Sequence, residues 1–263
     1  MDGFRFKQFT VSQDKSALKV GTDAVLLGAA MTLPECGGGM LDIGTGTGVI
    51  ALMAAQRMSG LEYARIEDWH VTAIDIDSPS IEEASGNFAA SPWSAHLKAV
   101  NLSLRQYGES IGEDAVFSSI FTNPPFYDGS LKNPDCRKSA ARHTDSLSVE
   151  EILSFASCHL LHPDDKGDGG ILSMILPAEE ETNLVRKAAS YGLFPFRLLR
   201  IRTVPAKKPR RIIAEFRLAT ENQIAGNLPG TYGKRSAREE EITLQEGNAR
   251  SEEYRRLTED FYL

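Results

Sequence analysis

Cysteine is scarce in this sequence. There are three, Cys36, Cys136 and Cys158, in 263 residues. The number is odd, the spacings are wide and no CxxC occurs, so neither a disulfide framework nor a zinc site is indicated. Long apolar runs are missing too. The longest, such as residues 24–31, are far too short to span a bilayer. The opening Met1-Asp2-Gly3-Phe4-Arg5 lacks the apolar core of a signal peptide. These absences point to a soluble protein of a reducing cytoplasm, with no metal and no membrane attachment. An excess of positive charge is also missing. The net charge of −7 argues against a surface coated throughout by nucleic acid. The GxGxxG of dinucleotide dehydrogenases does not appear.

What is present is a chain of ordinary composition, long enough for one large α/β domain. Short apolar strands alternate with helices. Residues 40–44, 70–75, 96–100, 115–121 and 170–176 read as strands. Residues 49–58, 78–88, 148–161 and 178–191 read as helices. Ser78 is the expected N-cap of the second of these, with Pro79 at its first position, and Ser148 with Glu151 forms a capping box on the third. Thr22 and Asp23 either cap an earlier helix over 24–31 or stand beside a bound cofactor. Such alternation implies a parallel sheet covered on both faces. Residues 196–204 and 210–218 flank a Pro-Lys-Pro turn, so the sheet should end in an antiparallel hairpin, seven strands in all. Residues 1–37 precede the first sheet strand and form an expected N-terminal extension packed on the domain of 38–263. Residues 219–238 are polar and glycine-rich and read as a loose excursion.

Charge is unevenly distributed. Residues 200–211 hold six cations, Arg200, Arg202, Lys207, Lys208, Arg210 and Arg211. A second basic stretch comprises Lys132, Arg137, Lys138 and Arg142. Acidic runs stand at Glu179-Glu180-Glu181 and Glu239-Glu240-Glu241. Each run is either solvated surface charge or a local field for a charged partner.

Two stretches carry chemistry. In LDIGTGTGVIAL (41–52), Gly44, Gly46 and Gly48 lie between the first strand and the first helix. Glycines there allow a tight turn and close approach of a ligand to the free N–H groups of a helix start. Asp42 precedes them, and Asp75, at the tip of the second strand, is placed to accept both hydroxyls of a ribose. In FTNPPFYDG (121–129), two prolines end a strand and make a stiff hydrogen-bonding corner beside an aromatic ring.

Residues 42–48 resemble the first motif of class I S-adenosylmethionine-dependent methyltransferases, and Asn123-Pro124-Pro125-Phe126 resembles the fourth motif of those that methylate a planar amino nitrogen. Residues 4–28 and 123–148 and the final EEYRRLTEDFYL are similar to the bacterial tRNA(Val) adenine-N6 methyltransferase family, which acts on adenine 37 beside the anticodon. The similarity spans nearly the whole chain apart from 219–238 and 59–70. It implies a Rossmann-like class I methyltransferase fold, S-adenosylmethionine as cofactor and tRNA as partner; a monomer is the default expectation, not something the sequence shows. The resemblance places Asp42, Gly44, Thr45, Gly46 and Gly48 at the methionine end of the cofactor and Asp75 at its ribose. Asn101 stands where many relatives have an Asp contacting the cofactor's adenine. Asn123 and the Pro124 carbonyl would accept the two amino hydrogens of the target adenine while Phe126 stacks on its face. Lys207, Lys208, Arg210 and Arg142 are the candidate contacts to RNA phosphates.

Other readings compete. The same corner could present a glutamine amide of a release factor, an rRNA base or a DNA base to the same donor. A nicotinamide oxidoreductase would need GxGxxG and a separate catalytic apparatus. A non-catalytic RNA-binding module would have no use for the Asn-Pro-Pro corner.

Overall fold

The computed structural model describes residues 3–35, 37–61, 68–125, 147–163, 169–219 and 237–262. A two-stranded ribbon, β1 (Phe4–Arg5) and β2 (Thr10–Val11), leads to helix α1 (Thr22–Ala30). The alternation follows as β3 (Gly38–Ile43), α2 (Val49–Gly60), β4 (Trp69–Asp75), α3 (Ser78–Ala89), β5 (Leu97–Asn101), α4 (Leu104–Ile111) and β6 (Ser119–Thr122). It continues through α5 (Val149–His159), β7 (Ile171–Pro177), α6 (Glu181–Ala189), β8 (Leu193–Arg202), β9 (Arg211–Leu218) and β10 (Arg238–Thr243). A second small ribbon, β11 (Gln245–Glu246) with β12 (Ala249–Arg250), precedes α7 (Glu252–Thr258).

The main sheet has the order β10-β8-β9-β7-β6-β3-β4-β5. Strands β3 to β7 are mutually parallel, and β9 runs antiparallel to both β7 and β8. Side chains alternate across the sheet with the period of two that pleating imposes. Met40, Val71 and Phe121 join the core under α1, α2, α3 and α7, whereas Leu41, Ile43 and Ile120 join the core under α4, α5 and α6. The N-terminal residues belong to the first of these cores through Phe6, Val11 and α1. Phe261, near the C-terminus, is buried in the same core and anchors that end of the chain.

The expected fold is present, with one more strand than the seven anticipated. The hairpin of β8 and β9 does not end the sheet, because β10 pairs in parallel with β8. Glu239-Glu240-Glu241 is therefore a paired run, although Glu239 and Glu241 remain exposed. Arg200 and Arg202, on one face of β8, pair with Glu239 and Glu241, and Arg197, on the other face, pairs with Glu240. Three cap assignments also change or sharpen. Asp77, not Ser78, caps α3, accepting the Ser80 N–H at 3.0 Å. Gly21 precedes α1 without a side-chain cap, and Asp23 instead meets Arg211 at 2.8 Å. The capping box of Ser148 and Glu151 is formed as expected, and another, Ser103 with Gln106, starts the unanticipated α4.

Glu215 in β9 ties these parts together. It is fully buried and accepts from Thr32 N–H (2.6 Å), Thr32 Oγ1 (2.8 Å), Ser173 Oγ (2.8 Å) and Arg197 Nη1 (2.7 Å). A buried carboxylate is tolerable only when its lone pairs are met in this way. Replacing Arg197 with Ala leaves that charge without its bonded cation, with Arg57 acting on it only through space. Urea unfolding should then show a loss of about 3–5 kcal/mol; a loss below about 1 kcal/mol would mean that the remaining three donors suffice.

Candidate active site

Strand register gathers the singled-out residues on one edge. Asp75 pairs with Asn101, Ile43 with both Ile74 and Thr122, and Thr122 with Met174. The C-terminal ends of the parallel strands thus present Asn101, Asp75, Gly44 and Asn123 in successive positions, about 4.8 Å apart per strand. The chain leaves β3 for β4 and β5 on one side, then returns to β6 on the other. Such a point of reversal opens a crevice for ligands.

The glycine loop is shaped by backbone bonds. Gly44 and Thr45 both donate to the Ile74 carbonyl, at 2.9 and 3.0 Å, and Gly48 donates to Thr45 O at 2.9 Å. Gly48 begins α2 with φ +82°, and a Cβ there would lie 2.5 Å from the Phe88 ring. Only glycine fits that position. Thr45 Oγ1 donates to Asp42 Oδ2 at 2.6 Å. The other Asp42 oxygen, Oδ1, is buried without a hydrogen-bond partner. Burial pushes this carboxyl up to about 7, and the charge of Asp75 adds to the rise while Thr45 opposes it.

Asp75 is half-buried and oriented from both sides. Its Oδ2 accepts the Gly46 N–H and its Oδ1 the Asp77 N–H, each at 2.9 Å. Each carboxylate oxygen keeps a further lone pair for another donor. Asn101 is exposed and donates its amide to the Asp75 carbonyl at 2.9 Å, which turns its own oxygen outward from that bond. Asp77 is occupied as the cap of α3.

Thr122 Oγ1 donates to Ile43 O at 2.8 Å, fastening the end of β6 to β3. Beyond it Asn123 is half-buried, Pro124 buried and Pro125 exposed. Both prolines, with Leu147, Val149, Leu176 and Asn183, line a cavity of about 150 Å³. Its other walls are Pro177, Leu184 and the charged Glu179, Glu180 and Lys187 of the segment leading into and along α6. Phe126, Arg142 and His143 lie outside the described residues, as do Lys132, Arg137 and Lys138 and most of the 219–238 excursion.

The basic hairpin shares this edge. Pro177 of β7 pairs with Arg211, which pairs with Ile201, so the tip at 203–210 projects from the end that carries Asn123. Three strand spacings, roughly 15 Å, separate the two. Of the six cations, Arg200, Arg202 and Arg211 are in ion pairs with carboxylates. Lys207, Lys208 and Arg210 stand exposed at or beside the tip, without a carboxylate partner among the described residues.

Two features escaped the sequence reading. Ile76, next to Asp75, is 57% exposed at the rim of the crevice. Its signal was an apolar residue just past a strand-end acid. Ser16 also stands over the loop, its Oγ 3.7 Å from where a Gly46 Cβ would lie. Its signal was the polar spacing of Ser80, Glu83 and Asn87 on the helix that holds it.

The Asp42 environment has a consequence for stability. Its folded value lies above the ordinary 3.8, so its contribution is fully present below about pH 4 and is lost as pH rises through about 7. Asp42→Asn cannot ionise. Thermal unfolding should show the variant gaining on the wild type steadily from pH 4 to pH 8. A difference independent of pH would show that the ionised carboxylate is not penalised by burial.

Comparisons with known proteins agree with this arrangement. The model of the methyltransferase small domain matches residues 15–144. Among solved structures, a predicted O-methyltransferase from Agrobacterium tumefaciens superposes with a TM-score of 0.57 at 17% identity, covering 91% of this chain and 96% of that one. The Thermus thermophilus 16S rRNA N2 G1207 methyltransferase, solved with AdoMet and guanosine, gives 0.52 at 19% identity over 83% of this chain and 50% of that one. These likenesses establish the fold. The tRNA1(Val) (adenine(37)-N6)-methyltransferase of Photobacterium profundum is 33% identical over 99% of this chain and 98% of its own. That of Bacteroides fragilis is 38% identical over 99% of this chain and 97% of its own. An identity of this size sustained from end to end carries the assignment: the chain belongs to the tRNA1(Val) (adenine(37)-N6)-methyltransferase family.

Proposed function

We propose that this chain methylates the N6 amino group of adenine 37 in tRNA1(Val), with S-adenosylmethionine as the donor. The observation that carries the reading is the position of Asn123 and Pro124, one strand from the glycine loop on the same sheet edge. The curated relatives bear the same activity in their names.

The residues present suit the donor. Asp42 Oδ1, without a close hydrogen bond under the glycine loop, has an acceptor position that suits a donor such as the ammonium of the methionyl end. Gly44, Thr45, Gly46 and Gly48 bring backbone close to that end. Asp75 has lone pairs left for two ribose hydroxyls. Asn101 has a free oxygen for the adenine amino group, and Ile76 has an exposed apolar face for the ring. Bound there, S-adenosylmethionine supplies a methyl group already activated by its sulfonium.

The chain's task is then to aim the acceptor. An adenine amino nitrogen is a weak nucleophile because its lone pair is delocalised into the ring. Asn123 Oδ1 and Pro124 O accept its two hydrogens, favouring a pyramidal nitrogen with its lone pair directed at the methyl group. Two prolines and the Thr122–Ile43 bond hold those acceptors rigid, so little reorganisation is needed during reaction. Phe126 offers a stacking face to the base. No strong base is required, because the nitrogen becomes acidic once alkylated. Lys207, Lys208, Arg210 and Arg142 draw in the RNA backbone.

Nucleoside mass spectrometry tests the function. A strain lacking this protein should have tRNA1(Val) without N6-methyladenosine, and re-expression should restore it. Asn123→Ala should not, since its turnover falls about 10²–10³-fold while S-adenosylmethionine binding persists. Full methylation in the deletion strain would overturn the function; restoration by Asn123→Ala would remove Asn123 from the chemistry.

Replacing both Lys207 and Lys208 with Ala should weaken tRNA binding. Anisotropy titrations at several salt concentrations should show the log–log salt slope flattened by about one to two units. An unchanged slope would make these lysines ordinary surface charge.

A further inference from the structure

Helix α3 buries a polar stripe. Ser80, Glu83 and Asn87 lie three and four residues apart on one face and are 3%, 6% and 4% exposed. A buried helix face is ordinarily apolar. This one meets the backbone of residues 12–16. Glu83 accepts three consecutive N–H groups: Asp14 (2.6 Å) and Lys15 (3.0 Å) on Oε1, and Ser16 (2.8 Å) on Oε2. Consecutive N–H groups form a concavity suited to an anion, and here the anion is a side chain of the protein itself.

Asn87 extends the contact. It accepts the Ser12 N–H at 2.8 Å and donates to Ser12 O and Thr47 O at 3.0 and 2.9 Å, joining the arm to the glycine loop. Ser80 Oγ lies 3.0 Å from Ser16 Oγ, which in turn faces Gly46. The arm is thus a wall standing against the loop, and α3 holds it there.

We propose that Glu83 is a positioning residue for the cofactor. By gathering the N–H groups of residues 14–16 it keeps the arm closed over Gly46, and so sets cofactor affinity without touching the cofactor. This rests on the reading that the glycine loop holds S-adenosylmethionine. A purely structural anchor would change thermal stability alone. A positioning residue changes the KM for the cofactor and spares the chemical step.

Glu83→Gln keeps the size and removes the charge. Steady-state kinetics should show the KM for S-adenosylmethionine raised roughly tenfold, about the loss of one charge-assisted hydrogen bond. Turnover at saturation should stay within about threefold and the KM for tRNA should not move. In the wild type, trypsin should cut after Lys15 and Lys19, and the cofactor should slow both cuts. That second measurement tests the closure of the arm over Gly46 even where the variant fails to fold. Unchanged KM in the variant, a fall in turnover without a change in KM, or wild-type cleavage indifferent to the cofactor would each overturn the proposal. A wild type that binds no S-adenosylmethionine would overturn the reading beneath it as well, whereas equal binding by wild type and variant overturns the role of Glu83 alone.

Discussion

The site depends on the pairing of β3 with β4 on one side and β6 on the other. Because all three strands are parallel, their C-terminal ends share one edge, and Ile43 stands level with both Ile74 and Thr122. The glycine loop emerges between an acid that suits a ribose and a corner that suits an amino group. A slip of one residue in either pairing would turn every side chain to the opposite face. The bonds from Gly44 and Thr45 to Ile74 O, and from Thr122 to Ile43 O, hold the loop and the corner to the strand ends on either side.

Charge is handled in two ways in this molecule. Where the role is structural, as at Glu215 and along β8 and β10, carboxylates are met by arginines and hydroxyls. At the crevice they are left partly unmet. Asp42 keeps an unpartnered oxygen close to the glycine loop, and Asp75 has spare lone pairs. Unsatisfied buried polarity destabilises a fold, and Asp42 carries that cost directly beneath the glycine loop. The hairpin carries the same contrast. Its base is neutralised by Glu181, Glu239, Glu241 and Asp23, while the lysines at its tip are not.

The legible parts of the sequence were those with short-range causes. The glycine turn, the Asn-Pro-Pro corner, the strand-end acid and the capping box at Ser148 each declare themselves within a few residues. Strand β10 did not, because its stability comes from arginines some 40 residues away, 43 in the case of Arg197 and Glu240. Its own residues are polar and show no apolar alternation. Glu215 was equally silent, since Thr32, its partner, lies 183 positions earlier. Helix α4 is short and mostly exposed, with only Leu104 and Tyr107 buried. The arm at 12–16 contributes backbone rather than side chains, and backbone donors leave no trace in residue identity.

In the proposed reaction the crevice between β3 and β6 brings a donor and an adenine amino group together. A crystal structure with S-adenosylhomocysteine and an anticodon stem-loop carrying adenine 37 tests it most directly. The adenine N6 should lie about 3 Å from both Asn123 Oδ1 and Pro124 O, facing the cofactor's sulfur. An adenine bound elsewhere on the sheet edge, or an amino group turned away from Asn123 and Pro124, would contradict it.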